Sequence, residues 1–255
     1  MDDALFLSVV IPTYNEAARI RDTLQKVTAY LEKQEYTSEI IVTDDGSTDQ
    51  TRQIVRSFIS QYRGALPMRL IENEHRGKGY AVRGGMLAGL GTYLLFTDAD
   101  LATPIYEVGK VIGALESGCD VAIGTREGIG AERVNEPFYR HLMGRVFNLL
   151  VRWLSGLHFQ DTQCGFKGFR CPVAHDLFGR VRLYGEDAKP IKGGAVTGFD
   201  VEVLYLAVQS GYQVEEIPVK WQYGKGSKVN PFVDSVRMAR DVIRVRWMAM
   251  KGLYE

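Results

Sequence analysis

Short apolar, β-branched segments alternate with amphipathic segments through the first half of the chain. The apolar segments are LFLSVVI, EIIVTDD, MRLIEN, TYLLFTD and DVAIGT. Helical patterns separate them, with predicted starts at about Glu16 and Thr48 and in the segments GKGYAVRGGMLAGL and PIYEVGKVIGALESG. Nearly continuous apolar strands between amphipathic helices are typical of a parallel sheet covered on both faces. The alternation therefore predicts an α/β fold whose ligands bind at the carboxyl ends of the strands.

Length, charge and cysteine content narrow the class of protein. The chain has 255 residues, 45% of them hydrophobic, which suffices for a sizeable core, and we expect a single domain. Lys and Arg together number 31, as do Asp and Glu, so no overall field favours nucleic acid as a partner. The 3 cysteines form no CxxC pair, which fits a reducing compartment. Without a leader pattern or a run of roughly 18 apolar residues, we expect neither secretion nor a membrane span.

The pattern becomes less regular after Arg126. REGIGAERVNEP and LYGEDAKPIKGGAVTG are predicted to be loops, of a length often found over a binding site. Between and after them we expect two basic amphipathic helices, over about 137–156 and 231–250, and one late strand, YQVEEIPVKW.

Two aspartates, Asp98 and Asp100, follow the fourth strand in the segment FTDADLATP. Alternate side chains of an extended chain point to opposite sides, so both can face one ligand only if the chain bends at Ala99. A divalent cation that also binds a phosphate would relieve their repulsion, which predicts Mg²⁺ or Mn²⁺ held against a nucleoside diphosphate. The alternative is that one carboxylate caps the following helix and the spacing is accidental.

Two further polar segments follow predicted strands. Asp44 and Asp45 in DDGSTDQT can accept hydrogen bonds from a base or a ribose hydroxyl, although the same residues are common in turns. EHRGKGYAVRGG offers Lys78 and Arg83 to an anionic ligand. Neither a Walker loop nor a correctly placed GxGxxG is present, which argues against an ATPase and a dehydrogenase.

Eight segments occur in an order and spacing that match one known family. They are SVVIPTYNEAARI, EIIVTDDGSTDQT, GKGYAVRGGM, LLFTDADLATP, GTRE, DTQCGFKGF, FDVEVLYLA and IPVKWQYGKGSKV. The chain resembles the inverting family 2 glycosyltransferases of the GT-A fold, and among them the dolichyl-phosphate (polyprenyl-phosphate) β-glucosyltransferases. The resemblance implies a mixed, mostly parallel sheet with helices on both faces and basic amphipathic C-terminal helices. It implies one domain over 1–255, with a nucleotide-sugar half at 1–126, an acceptor half at 127–230 and a terminal amphipathic helix at 231–255.

The resemblance also implies roles for individual residues. Those expected to bind the nucleotide are Pro12, Tyr14, Glu16, Asp44, Asp45, Lys78 and Asp98. Asp98 and Asp100 are expected to hold the metal. Mannose-transferring relatives have a further Gln ligand where this chain has Ala102, so phosphate and water would complete the shell. Positions that meet phosphate in the family correspond to Arg126, Arg140 and Lys228, for which ordinary solvated charge is the alternative.

The implied reaction is transfer of glucose from UDP-glucose to a polyprenyl (dolichyl-type) phosphate, with inversion in a single displacement. A phosphate acceptor is already anionic and needs no strong base, whereas a hydroxyl acceptor would need one. Asp161 and Asp200 are the candidates by family position, and with Asp100 they form the expected catalytic set. The alternatives are structural: Asp161 as a cap before TQCGF, and Asp200 as an N-cap of the helix VEVLYLAVQSG.

Both predicted basic helices carry an apolar stripe beside arginines. The stripes are Phe138, Leu142, Val146, Leu149, Trp153 and Leu157 in the first, and Phe232, Val236, Ala239, Ile243, Trp247 and Met250 in the second, with Arg237, Arg240 and Arg244 placed opposite. A basic amphipathic helix with Trp is typical of a membrane interface. We therefore expect an anionic membrane surface as a partner and a peripheral, cytoplasmic location on its inner face. Each stripe could instead pack on the domain or form a dimer seam.

Other functions remain open from the sequence. The same donor could serve a soluble acceptor, because the spanning anchors common among relatives are missing. The hexose could be another one, such as mannose from GDP-mannose or N-acetylglucosamine from UDP-GlcNAc, since a few loop contacts decide sugar identity. A catalytically inert nucleotide-sugar-binding module is the alternative of a different class.

Overall fold

The computed structural model describes residues 4–191, 198–224 and 231–254, and for parts of the helices 138–155 and 231–250 it describes the backbone alone. The strands are β1 (Leu7–Thr13), β2 (Ser38–Asp44), β3 (Met68–Glu72), β4 (Tyr93–Thr97), β5 (Val121–Thr125), β6 (Glu132–Val134), β7 (Phe166–Arg170), β8 (Val214–Pro218) and β9 (Lys220–Gln222). The helices are α1 (Ile20–Leu31), α2 (Thr51–Gln61), α3 (Lys78–Ala88), α4 (Val108–Glu116), α5 (Phe138–Ser155), α6 (Cys171–Arg180), α7 (Phe199–Gln209) and α8 (Pro231–Met250).

The described strands form a seven-stranded sheet in the order β3-β2-β1-β4-β7-β5-β8 and a small sheet of β6 and β9. In the large sheet every pairing is parallel except those of β7, which runs antiparallel to both β4 and β5. The prediction of a mixed, mostly parallel sheet is confirmed. Since the sheet includes β7 and β8 as well as β1 to β5, both predicted halves of the chain contribute to it; the division into halves stays a prediction.

Helices cover both faces of the sheet, as the sequence predicts. Successive side chains of a strand point to opposite faces. Leu7, Val9 and Ile11 of β1 therefore pack with α1 and α4, whereas Val10 packs with α3, α6, α7 and α8 on the other face. Both clusters consist of buried apolar side chains. This double burial explains why β1, β2, β4 and β5 read as nearly continuous apolar runs.

Several boundaries differ from the sequence predictions. The helix expected from Glu16 begins at Ile20, and the one expected from Thr48 begins at Thr51, because turns that interlock through side-chain hydrogen bonds precede both. The prediction of a single late strand is wrong, because this segment forms β8 in the large sheet and then β9 in the small one. The first predicted loop contains β6, which pairs with β9. The expected helices at 137–156 and 231–250 match α5 and α8 closely.

Among the described residues, no helix is both long enough and apolar enough to cross a membrane.

The antiparallel strand β7 should be essential for stability. Phe169 of β7 is fully buried, with its ring centroid 6.3 Å from that of Phe96 and 5.5 Å from that of Phe178. We expect Phe169→Ala to lower the free energy of unfolding by about 3–5 kcal/mol, because it leaves a cavity between β4 and α6. Urea unfolding followed by circular dichroism measures this change.

The matched control is Tyr106→Ala, since the side chain of Tyr106 is largely exposed. It should change stability by less than about 0.5 kcal/mol. Equal effects of the two substitutions would contradict the assigned packing of β7.

Candidate active site

A tight turn ends β4 and carries the two aspartates predicted as metal ligands. The amide of Leu101 donates to the carbonyl of Asp98 at 3.0 Å, and Leu101 has a φ of 47°. Thr23 of α1 donates its hydroxyl to the carbonyl of Ala99 and fixes the turn from the side. The bend that the sequence required at Ala99 is therefore present. It ends the extended conformation before Asp100.

Cationic side chains lie beside both carboxylates. Lys78, at the start of α3, forms an ion pair with Asp98. Arg19 lies with Nη1 3.9 Å from Asp100 Oδ2 and with Nε 2.9 Å from Glu16 Oε2. Arg19 therefore connects two residues that the sequence placed in one site. Arg19 was not among the predicted site residues, although its position three residues after Glu16 was a usable signal.

The two carboxylates influence one another electrostatically. Burial raises the pKa of Asp100, and the negative charge of Asp98 raises it further, while Lys78 and Arg19 oppose this effect. Burial alone would lower the pKa of Lys78, but the charges of Asp98 and Asp200 outweigh it and the net pKa is raised. Lys78 therefore stays protonated beside the acidic turn. Additional positive charge at this turn would be stabilising.

The acidic turn fits a divalent cation. Carboxylate oxygens are the ligands that Mg²⁺ and Mn²⁺ prefer, and Asp100 keeps 40% of its side chain exposed, open to a ligand. Within the described part of the chain, no group of three or more His, Cys, Asp or Glu side chains could hold a metal ion. Two carboxylates suit a site in which phosphate oxygens and water complete the coordination.

Gly165 gives the carboxylate of Asp98 its space. The amide of Asp98 donates to the carbonyl of Gly165 at 3.1 Å, so the segment before β7 passes directly beside the acidic turn. A Cβ atom at position 165 would overlap the Asp98 carboxylate. The glycine of the DTQCGFK segment is thus required by close approach of two chains.

Asp161 and Arg126 form a largely buried ion pair at the carboxyl end of β5. Arg126 follows β5 and donates from Nε and Nη2 to the two carboxylate oxygens of Asp161, at 2.6 and 2.8 Å. Its own amide donates to the same carboxylate at 3.1 Å. Burial would raise the pKa of Asp161, but the Arg126 guanidinium outweighs it and lowers the pKa to about 2. Asp161 also accepts the amide of Gln163 at 3.1 Å, the capping contact left open by the sequence.

Asp200 forms a second buried ion pair, with Lys167. The ammonium of Lys167 lies 2.6 Å from Asp200 Oδ1. Asp200 is the second residue of α7, whose N-cap is Gly198, so the N-cap alternative for Asp200 is wrong. Lys167 occurs in the motif DTQCGFKGF but was not among the predicted site residues.

Asp44 ends β2 and Asp45 follows it at the same edge of the sheet, and both bind protein groups. Asp44 is fully buried and accepts from the amide and hydroxyl of Ser47 and pairs with Arg52. Asp45 accepts the amides of Arg76 and Gly77 at 2.8 and 3.0 Å. These contacts fix the turn after β2 and the loop before α3, and contact with a nucleotide stays a prediction for both residues.

The remaining predicted residues are distributed around β1 and the second half of the chain. Pro12 lies in β1, and the ring of Tyr14 stacks on His75 with centroids 3.9 Å apart. Lys228 lies outside the described residues, as does the side chain of Arg140 in α5, so the structure places neither phosphate contact.

Helix α8 has two apolar faces on opposite sides. Met238, Val242, Val245 and Met248 are buried in the core. Val236, Ile243, Trp247 and Met250 are exposed, and at about 100° per residue they form one stripe opposite the buried face. The expectation that arginines lie opposite this stripe is wrong: Arg240 borders it and Arg244 and Arg237 lie farther round on the same side, because the core occupies the opposite face.

The neighbouring helix α5 extends this exposed surface. It packs against α8 and exposes Leu149 and Trp153. Leu157, assigned to the same stripe from the sequence, is buried beyond the end of the helix. The exposed surface combines apolar side chains with arginines. We call it the α5/α8 surface: Leu149, Trp153, Val236, Arg237, Arg240, Ile243, Arg244, Trp247 and Met250.

Comparison with known proteins decides the family. Residues 8–183 match the family model described as Glycosyl transferase family 2. The chain belongs to glycosyltransferase family 2. It is 36% identical over 271 residues to a dolichyl-phosphate beta-glucosyltransferase of Saccharomyces cerevisiae, covering 99% of this chain and 78% of that protein. The protein of the same name from Homo sapiens is 33% identical over 265 residues, covering 97% and 77%.

Solved structures of glycosyltransferases share the fold of this family 2 member. Glucosyl-3-phosphoglycerate synthase from Mycobacterium tuberculosis, in complex with Mn²⁺, UDP and glucosyl-3-phosphoglycerate, superposes with a TM-score of 0.63. The alignment covers 97% of this chain and 80% of that one at 18% identity. The same synthase was solved with Mg²⁺ and UDP, with a TM-score of 0.62. The likeness confirms the GT-A-like architecture expected from the sequence.

The Asp161 and Arg126 pair should make stability depend on pH. The pKa of Asp161 in the folded protein lies below its ordinary value of 3.8, so its ionised form stabilises the fold above that value and this contribution is lost as pH falls towards 2. We expect Arg126→Met to lower the free energy of unfolding by about 3 kcal/mol at neutral pH, since it leaves a buried carboxylate unpaired. The difference from the wild type should shrink steadily as pH falls.

Urea unfolding at a series of pH values measures both effects. Arg56→Met serves as control, because Arg56 forms a largely exposed ion pair with Glu72 and should contribute less than about 1 kcal/mol. A pH-independent difference for Arg126→Met would show that Asp161 is not held ionised by this arginine.

Proposed function

We propose that this protein transfers glucose from UDP-glucose to the phosphate of a polyprenyl or dolichyl-type lipid, with inversion, at the cytoplasmic surface of a membrane. The proposal is carried by one observation: an acidic turn at the carboxyl end of β4, flanked by cations, shares an edge of the sheet with a largely buried carboxylate–guanidinium pair at the end of β5 in a family 2 chain. The names of the relatives support the acceptor. The donor and the metal are inferred from the site.

The acidic turn accounts for the donor half of the reaction. Asp98 and Asp100 would hold Mg²⁺ or Mn²⁺, which when bound supplies positive charge that stabilises a departing diphosphate. Lys78 and Arg19 already lie beside these carboxylates and would contact the same anion. Tyr14, Glu16 and Pro12 at the end of β1 are proposed to contact the uridine.

The acceptor half of the site favours an anionic nucleophile. A general base works best with a pKa near the working pH, but the pKa of Asp161 is about 2 beside Arg126. The carboxylate of Asp200 forms an ion pair with Lys167. A lipid phosphate is already ionised at neutral pH and needs only alignment and charge stabilisation. Arg126 would bind that phosphate, with Asp161 fixing the guanidinium, and Arg140 and Lys228 are proposed to add positive charge.

The α5/α8 surface accounts for access to a lipid. Its exposed Trp153 and Trp247 are suited to the interfacial region of a bilayer, and its arginines are attracted to anionic headgroups. We infer that the protein binds the membrane peripherally through this surface. A dimer seam would cover the same side chains and is an outcome that the vesicle experiment below distinguishes.

Three alternative functions predict different experimental results. A soluble acceptor would make transfer independent of lipid, and another hexose would appear in a donor screen. An inert nucleotide-sugar-binding module would bind UDP without turnover.

Purified protein should transfer labelled glucose from UDP-glucose to polyprenyl phosphate in the presence of Mn²⁺. Removal of divalent metal with EDTA should abolish transfer, and Asp100→Asn should lower turnover by about 100-fold, because charge stabilisation of the leaving group is lost. Extraction of labelled lipid measures the rate, and NMR of the anomeric proton measures inversion.

Asp22→Asn is the matched control, since Asp22 is an exposed aspartate paired with Lys26 on α1. It should leave turnover unchanged. Transfer to 3-phosphoglycerate but not to lipid would favour the soluble acceptor, and absence of transfer with every donor would favour the inert module.

Vesicle binding should depend on the arginines of the α5/α8 surface. Each arginine near an anionic surface contributes about 1 kcal/mol, so Arg240→Ala with Arg244→Ala should weaken binding to phosphatidylserine-containing vesicles roughly 10- to 30-fold. High salt should have a similar effect on the wild type. Co-sedimentation measures both.

The control replaces two exposed arginines on the other side of the domain, Arg21 and Arg63, with alanine. It should bind like the wild type. If the wild type does not bind vesicles but sediments as a dimer in analytical ultracentrifugation, the α5/α8 surface is a dimer interface.

A further inference from the structure

We propose that Lys167 is a positioning residue that fixes both Asp200 and the 161–165 segment against the acidic turn. The ammonium of Lys167 does so from inside the sheet, without contact with either substrate. This inference rests on the proposed function, because it assigns Lys167 a part in the same transfer.

Lys167 occupies an unusual position for a lysine. It is the second residue of β7, its register partner on β4 is Phe96, and its side chain is 1% exposed. Lysine is almost never fully buried unless its charge is compensated. Phe166 and Phe169 of the same strand are fully buried, so Lys167 lies among the side chains of the hydrophobic core.

Three groups compensate the buried charge. The ammonium donates to Asp200 Oδ1 at 2.6 Å and to the carbonyl of Cys164 at 2.6 Å. The Phe96 ring lies beneath it, with the nitrogen 5.4 Å from the ring centroid. An ammonium has three donors, and two of them are accounted for by these bonds to oxygen.

The two acceptors belong to different parts of the site. Asp200 lies in the first turn of α7, whereas Cys164 lies between Asp161 and Gly165 in the segment that leads into β7. Gly165 in turn accepts the amide of Asp98 at 3.1 Å. The positive charge of Lys167 also helps to lower the pKa of Asp161, after the larger effect of Arg126. One ammonium thus connects α7 with the 161–165 segment, and Gly165 connects that segment with the acidic turn.

Neither substrate binding nor stability alone explains this residue. No anionic ligand can reach a side chain that is 1% exposed. A buried ion pair must also be removed from water, so an apolar pair of similar volume often gives equal or greater stability. The geometry instead gives Lys167 a directional effect, since hydrogen bonds to a carboxylate and a carbonyl fix both groups relative to β7.

The test replaces Lys167 with Met, which is similar in length and apolar. A misplacement of about 1 Å can reduce turnover roughly 100-fold, so we expect kcat for glucose transfer to fall by about that factor. The KM for UDP-glucose should stay within about threefold of the wild type, because the nucleotide contacts lie on other elements. A role in general stability would not produce this separation of kcat from KM.

Two further variants keep the result interpretable. Lys26→Met is the control, since Lys26 is an exposed lysine paired with Asp22, and its kcat should be unchanged. The double variant Lys167→Met with Asp200→Asn removes both buried charges, so no unpaired charge is left in the core. It tests the positioning role if the single variant does not fold. Because Lys167 also holds the carbonyl of Cys164, this double variant should transfer glucose more slowly than Asp200→Asn alone.

A crystal structure of the single or the double variant gives a readout that does not depend on activity. We expect the carbonyl of Cys164 and the side chain of residue 200 to be displaced relative to β7. The proposal is overturned if both keep their positions, if kcat of Lys167→Met equals that of the wild type, or if the double variant is as active as Asp200→Asn. Absence of transfer by the wild type on every acceptor would overturn the proposed function instead, and the crystal structure would still decide the positioning.

Discussion

Two carboxylates separated by one residue at the end of a buried strand repel each other, and the surrounding site is arranged around that repulsion. Lys78 pairs with Asp98, and Arg19 lies between Glu16 and Asp100. Behind them Lys167 pairs with Asp200, whose charge also acts on Lys78. The site is therefore an alternation of acids and bases in which each buried charge has a neighbour of opposite sign. Such an arrangement compensates the charges of the site within the fold.

The antiparallel strand β7 makes this arrangement possible. It enters the sheet between β4 and β5, and the segment before it passes directly beside the turn at Asp98. Asp161 thereby meets Arg126 at the end of β5, and Lys167 reaches the start of α7. If β7 ran parallel to its neighbours, the segment before it, with Asp161, would lie at the amino ends of β4 and β5 instead. Insertion of one reversed strand brings the second half of the chain to the carboxyl ends of the first five strands.

The exposed helix α8 is connected to the same site through the protein interior. Asp241, on its buried face, accepts hydrogen bonds from the amide of Gly198 at 3.0 Å and from the hydroxyl of Tyr184 at 2.9 Å. Gly198 caps α7, which carries Asp200. The helix thus has one apolar face in the core, one facing outward with arginines beside it, and a carboxylate that fixes the start of α7.

The sequence by itself determined the α/β class, the strands β1 to β5, the helices α5 and α8, the acidic turn and the family, because apolar periodicity, turn residues and motif order are local properties of the chain. It did not reveal that β7 is reversed, that Lys167 is buried beneath Asp200, that Arg19 lies between Glu16 and Asp100, or which face of α8 is covered. Those features depend on contacts between residues distant in the chain, and a lysine or an apolar stripe has the same local pattern whether it is buried or exposed. Only the packing of the elements decides which charges meet and which surfaces stay open.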